Sequence, residues 1–287
     1  MQKEPSKKYQ PFQHAPKLTD RQWPGRTLTH APRWASVDLR DGNQALAVPM
    51  NVSQKLELFD ALVKCGFKEI EVGFPSASNT EFAFNRRLIE EGRIPGHVRI
   101  QVLTQAREGL IARTVEAVRG ARSVVLHLYN STSELQRRVV FGLDQGAVKD
   151  LAVQGALWVK AAARTLEGTE VAFEYTPESF TGTEVAYAKE VCDAVVEAWD
   201  PAPGEKVILN LPATVEMTTA NVYADQIEWM HRNLAHRERV VLSLHTHNDR
   251  GCSVAATERP RSLWVWMLMR ALSRCRRLRC TYSIWSA

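Results

Sequence analysis

Short runs of β-branched and apolar residues recur along the chain, at 34–39, 69–72, 99–103, 123–129, 171–175, 206–211 and 240–245. Between them lie stretches whose apolar positions fall at helical spacing. Residues 53–65 carry Leu56, Phe59, Leu62 and Val63 on one face, with Ser53 read as the N-cap, Gly66 as the C-cap and Cys65 inside the helix. Further helices are expected over 79–91, 108–119, 144–166, 183–199 and 219–235. Strand and helix in strict alternation impose a parallel sheet. An open doubly wound sheet and a closed barrel both satisfy that pattern. No GxGxxG follows the first run, so a dinucleotide-binding reading has no support. Seven strand–helix steps with polar residues just past the strands fit an α/β TIM (β/α)8-type barrel with about seven βα units. Its active site is expected at the carboxyl ends of the strands.

Those ends are rich in groups that bind cations, oxygen or protons. Strand one runs into Asp38-Leu39-Arg40-Asp41-Gly42-Asn43-Gln44, strand two into Glu71-Val72-Gly73, and strand four carries His127. Strand five gives Glu174-Tyr175-Thr176-Pro177-Glu178, strand six Asn210 to Thr214, and strand seven His245-Thr246-His247-Asn248-Asp249. Residues i and i+2 on a strand point the same way, so His245 and His247 can face one divalent ion. Asp41 can complete the set, because strands one and seven meet at one barrel mouth. The competing reading makes the pair two surface or capping histidines. Arg40 reads either as a fixed charge that stabilises a developing enolate or alkoxide, or as an ion pair with Asp38 or Glu71. Glu178 and Glu174 read equally as partners of a basic side chain, Thr214 as a cap and His127 as a core histidine. There is no GxSxG nucleophile context and no P-loop.

The segments 39–46 (LRDGNQAL), 68–78 (KEIEVGFPSAS), 127–141 (HLYNSTSELQRRVVF), 173–184 (FEYTPESFTGTE), 211–230 (LPATVEMTTANVYADQIEWM) and 242–251 (LSLHTHNDRG) together resemble the 2-isopropylmalate synthases in their long, actinobacterial and fungal form. DGNQ and HxHND alone mark only the wider acyl-CoA-condensing group, including homocitrate and citramalate synthases. The resemblance implies a cytoplasmic acyltransferase of leucine biosynthesis. It would condense acetyl-CoA with 2-oxoisovalerate at a divalent metal, Mg²⁺ first and Mn²⁺ or Zn²⁺ as alternatives. A sibling enzyme using another 2-oxo acid is the alternative. By motif, Asp41, His245 and His247 would hold the metal, and Arg40 would stabilise developing charge and touch substrate. His127, Thr176 and Thr214 would line the 2-oxo acid pocket, and Glu178 would be a catalytic-site residue. Thr176 stands where the family often has Ser, and Thr246 where Pro is common. The full-length family implies a homodimer.

The resemblance stops near Gly251. The remaining 36 residues contain seven Arg, no Lys and one acid, so they hold +6 of a chain whose net charge is +5 and leave −1 for residues 1–251. The basic balance therefore belongs to the tail and gives little reason to expect a nucleic-acid partner. Three organisational units are expected: an extended arm over 1–30, kept from helix by Pro11, Pro16 and Pro24; a catalytic barrel over 31–251; and an aberrant tail over 252–287. The tail reads as a frame-shifted or truncated end. It offers a helix over 263–278 but no eighth strand, which would leave strands one and seven with bare edges and impair activity. No run of about 20 apolar residues is present to suggest a membrane partner.

Overall fold

The computed structural model describes residues 3, 4, 7, 11–27, 29, 31–261 and 267–270. The strands are β1 (Arg33–Ser36), β2 (Glu69–Gly73), β3 (Arg99–Gln105), β4 (Ser123–Ser131), β5 (Glu170–Glu178), β6 (Val207–Ala213), β7 (Val240–Thr246) and β8 (Met267–Arg270). Alternating with them are α1 (Val52–Lys64), α2 (Asn79–Glu90), α3 (Glu108–Val118), α4 (Gln145–Ala163), α5 (Val185–Trp199), α6 (Ala220–Asn233) and α7 (Ser253–Arg261). The strands pair in sequence order, all parallel, into a closed barrel.

Seven complete strand–helix units are present, as the alternation implies. The expected bare edges are not. β8 pairs with β7 through Leu242↔Met267 and with β1 through Arg33↔Leu268. A four-residue segment that reads as helical is drawn into a strand by backbone partners on both sides. The rest of the helix expected over 263–278 lies outside the described residues.

Side-chain alternation along each strand separates two environments. The outward row packs on the helices in one continuous core: Ile70 and Val72, Ile100 and Val102, Leu126 and Leu128, Phe173 and Tyr175, Leu209 and Leu211, Leu242 and Leu244. The alternate row lies inside the ring. Near the amino end it is apolar, with Ala35, Val125 and Ile208. Further along it turns polar, with Glu71, Gln101, His127, Glu174, Asn210 and Ser243, all buried. A barrel interior is normally filled by Val, Ile and Leu; here hydrogen bonds replace much of that packing. A cavity of about 510 Å³ opens at the amino end among Arg33, Glu69, Arg99, Glu170 and Lys206. It lies at the opposite end from the histidine pair.

Local signals set the element ends. Helix α1 starts two residues earlier than expected. Asn51, not Ser53, caps it, through a reciprocal box in which Asn51 Oδ1 accepts from Gln54 N and Gln54 Oε1 accepts from Asn51 N, both at 3.0 Å. Cys65 is the residue after the helix, and Gly66 follows with φ +93°, the left-handed conformation that ends many helices. β1 stops at Ser36, short of the expected Leu39. There the N–H groups of Arg40, Asp41 and Gly42 converge on the Val37 carbonyl in a wide helical turn over Asp38–Gly42.

The N-terminal segment lies against α6. Arg21 Nε donates to Asp225 Oδ1 at 2.7 Å, Trp23 Nε1 to the same oxygen at 2.9 Å, and the Gln22 and Trp23 amides to the Glu228 carboxylate. Asp225 and Glu228 are buried beneath it.

Candidate metal centre

Asp41, His245 and His247 converge at the carboxyl mouth of the barrel, each buried, with ligand atoms all within 4.8 Å of one another. His245 Nε2 lies 3.0 Å and His247 Nε2 3.2 Å from the same oxygen, Asp41 Oδ2. The strand-end turn carries Asp41 inward from β1, and two-residue spacing puts both imidazoles on one side of β7.

The orientation of His247 can be worked out. Its Nδ1 lies 2.6 Å from the Thr214 carbonyl, which only accepts, so Nδ1 carries a proton. In the neutral ring Nε2 is then a bare acceptor facing a carboxylate oxygen. Two acceptors at that separation are reconciled by a shared cation, a metal ion or a proton. The donor set of two imidazoles and one carboxylate suits a divalent ion with open positions for substrate. These residues fit a metal.

Arg40 ties this cluster to the layer below. Nη1 lies 3.0 Å from Asp41 Oδ1, while Nη2 and Nε lie 2.7 Å and 2.9 Å from Glu71 Oε2. The ion pair with Glu71 is thus present, and the one with Asp38 gives way to Asp41. Burial pushes the Asp41 carboxyl up, but the Arg40 charge and the neighbouring His245 and His247 rings outweigh it and hold Asp41 well below the usual carboxylate range. Burial likewise opposes the Arg40 charge, and Glu71 and Asp41 reverse that, so Arg40 stays protonated.

His127 and Thr176 sit in the polar interior beneath. Thr176 Oγ1 accepts from Asn210 Nδ2 at 2.9 Å and lies 2.6 Å from His127 Nε2. His127 Nδ1 donates to Glu71 Oε1 at 2.7 Å. Gln101 Nε2 donates to Glu174 Oε2 at 3.0 Å, and Ser243 Oγ to Asn210 Oδ1 at 3.0 Å. His127 and Thr176 therefore bond each other, as a floor under the cluster.

Thr214 sits at the mouth. Its hydroxyl accepts from Ser179 N at 3.0 Å, and its carbonyl orients His247. Glu178 makes no ion pair among the described residues; Ser131 Oγ donates to its Oε2. Thr246 points away from the site and bonds Thr257 Oγ1 at 2.6 Å under α7.

Gln101 and Ser243 were not singled out from sequence, and Glu71 and Asn210 only as strand-end polar groups, Glu71 also as a possible partner of Arg40. The signal for them was a polar residue at every second position inside an otherwise apolar strand. Glu216, whose carboxylate accepts the Cys252 N–H at 3.0 Å, had no such signal, because it lies in a loop.

A family model described as HMGL-like matches residues 31–260. The 2-isopropylmalate synthase of Parafrankia sp. (strain EAN1pec) is 64% identical over 255 residues, which are 88% of this chain and 45% of that protein. The 2-isopropylmalate synthase of Kineococcus radiotolerans is 60% identical over 256 residues, 88% of this chain and 44% of that one. The chain thus spans a little under half the length of these relatives. Among solved structures, hydroxymethylglutaryl-CoA lyase from Pseudomonas aeruginosa superposes with a TM-score of 0.62 at 21% identity, over 83% of this chain and 75% of that one. An HMG-CoA lyase in complex with coenzyme A and 3-methylmalate gives 0.56 at 17% identity, over 82% and 73%. At those identities the structures support the fold alone.

Proposed function

The chain belongs to the HMGL-like family, and from that premise we propose that its barrel is the catalytic region of a 2-isopropylmalate synthase. It would condense acetyl-CoA with 2-oxoisovalerate to give 2-isopropylmalate and coenzyme A. The observation that carries this reading is the convergence of His245 and His247 on Asp41, with Arg40 alongside.

Asp41, His245 and His247 would hold a divalent ion, Mg²⁺ first. When bound, that ion supplies Lewis acidity toward a keto carbonyl. Arg40 contributes a fixed positive charge. Of its five N–H donors, three are engaged by Glu71 and Asp41. The other two would meet negative charge as it develops on substrate. Because Glu71 and Asp41 brace the guanidinium from two sides, it needs little reorganisation during the reaction. Thr214 at the mouth and the His127–Thr176 floor bound the 2-oxo acid pocket, and Glu178 is the polar group held beside it by Ser131. No described helix is long and apolar enough to cross a membrane. Cytoplasmic location and a two-subunit assembly belong to the same proposal.

The test is ligand-observed NMR with 2-oxoisovalerate, pyruvate and 2-oxoglutarate, each with and without Mg²⁺. The expected result is Mg²⁺-dependent binding with 2-oxoisovalerate preferred. Preference for pyruvate or 2-oxoglutarate reassigns the chain to a sibling condensing enzyme. Metal-independent binding refutes the proposed site.

A further inference from the structure

The loops after β6 and β7 are joined by a reciprocal pair of acids. The Glu216 carboxylate, 7% exposed, accepts the Arg250 N–H at Oε2 and the Cys252 N–H at Oε1, the latter at 3.0 Å. In return the Glu216 N–H donates to Asp249 Oδ2 at 2.9 Å. Arg250 Nη2 adds a bond to the Thr218 carbonyl at 2.6 Å. Gly251, with φ +88°, stands between the two amides that share the carboxylate. Alternating backbone conformations of this kind build a small anion-holding concavity. A carboxylate this buried is costly unless those bonds are made, so the clamp is either closed or strongly disfavoured.

What the clamp holds is the orientation of His247. Thr214 lies two residues before Glu216, and His247 two residues before Asp249. Between these points the Thr214 carbonyl takes the His247 Nδ1 proton at 2.6 Å, and His247 N donates to the Ala213 carbonyl at 3.2 Å. The Nδ1–H bond fixes both ring orientation and tautomer. The other tautomer places its proton on Nε2, where it bonds Asp41 and competes with a metal.

We infer that Glu216 is a positioning residue for His247. By locking the 248–252 loop to the 214–219 loop it keeps the Thr214 carbonyl on Nδ1 and leaves Nε2 bare toward Asp41. The inference rests on reading Asp41, His245 and His247 as a metal site, so the experiment separates the two.

Metal-free wild type, Glu216→Gln, Glu216→Ala and Asp41→Asn are each titrated with Mn²⁺, and free Mn²⁺ is read by electron paramagnetic resonance. Glutamine keeps the size and one acceptor oxygen; alanine keeps neither. Affinity is expected to fall about 10-fold in Glu216→Gln and up to about 100-fold in Glu216→Ala, the range for a lost supporting partner of a metal ligand. The His247 Nδ1–H proton resonance of the metal-free protein should shift or broaden in the same order. The unfolding midpoint of Glu216→Gln should stay near wild type, so the affinity loss cannot be assigned to unfolding. Wild-type Mn²⁺ affinity in both Glu216 variants overturns the inference and leaves the metal site intact. A wild type that binds no better than Asp41→Asn overturns the metal site itself.

Discussion

Replacing Arg40 with leucine tests how the mouth of the barrel is held together. The Arg40 and Asp41 side chains are each 10% exposed and Glu71 is fully buried, so the variant strands two carboxylates that the guanidinium now bridges. Breaking a buried pair by deleting one partner costs about 3–5 kcal/mol. Asp41 keeps its two histidines, and Glu71 keeps His127, so the lower end applies. For a protein of this size about 3 kcal/mol corresponds to a fall in Tm of roughly 6–12 °C. The assay is thermal unfolding followed by circular dichroism in metal-free buffer at pH 7 and pH 5. The gap should be smaller at pH 5, because without Arg40 the carboxyls rise toward protonation in the folded state and proton uptake relieves the stranded charge. Arg40→Lys should recover only part of the loss, since a compact ammonium does not span two carboxylates as a planar fork does. A Tm within about 2 °C of wild type at pH 7, well short of that range, would refute the reasoning: Glu71 and Asp41 would then be satisfied without Arg40.

Other consequences follow from the same geometry. Ionised Asp41 is stabilised by folding, so its contribution is full above the unfolded carboxyl pKa of about 3.9 and is lost as pH falls below it; the difference in urea midpoint between wild type and Asp41→Asn should hold steady from pH 7 to 5 and narrow toward pH 3, and a constant difference would contradict the account. Burial pushes the Cys192 thiol up, whereas Cys65 and Cys252 are exposed; mass mapping after brief native alkylation should find Cys65 and Cys252 modified and Cys192 spared. Gly73 has φ +154°, and a Cβ there would lie 2.0 Å from Glu81 Oε2, in a carboxylate whose other oxygen, Oε1, Lys55 holds. Gly73→Ala should cost about 1–3 kcal/mol, read from urea midpoints, and an unchanged midpoint would contradict the clash.

Much of the site was legible because two-residue spacing on a strand is a geometric statement. His245 and His247 must share a face, and the barrel brings the carboxyl ends of β1 and β7 to one mouth, with β8 between them, so Asp41 could be named with them. The polar interior row was legible in principle: Glu71, Gln101, His127, Glu174, Asn210 and Ser243 each interrupt an apolar run at inward register. Weighing each residue singly hid the row, since a buried Glu reads as costly until its partners on neighbouring strands are known. The contact between Glu216 and Asp249 was beyond reach, because only the ring places the 214–219 and 248–252 loops side by side. β8 was missed for a related reason. The Met267–Arg270 segment has helical-looking neighbours, and only the facing edges of β1 and β7 make it a strand. Asn51 was overlooked as a cap because Ser53 opens the apolar periodicity, yet the reciprocal bond with Gln54 decides the start.

The central claim is that Asp41, His245 and His247 form one divalent-metal site. Isothermal titration of Mg²⁺ and Mn²⁺ into the metal-free chain tests it directly, alongside Asp41→Asn, His245→Ala and His247→Ala. The account predicts a single site per chain in the wild type, with affinity lowered by more than about 100-fold in each variant, beyond the loss that follows removal of a mere supporting group. Undiminished binding in Asp41→Asn, or no saturable binding in the wild type, would contradict it.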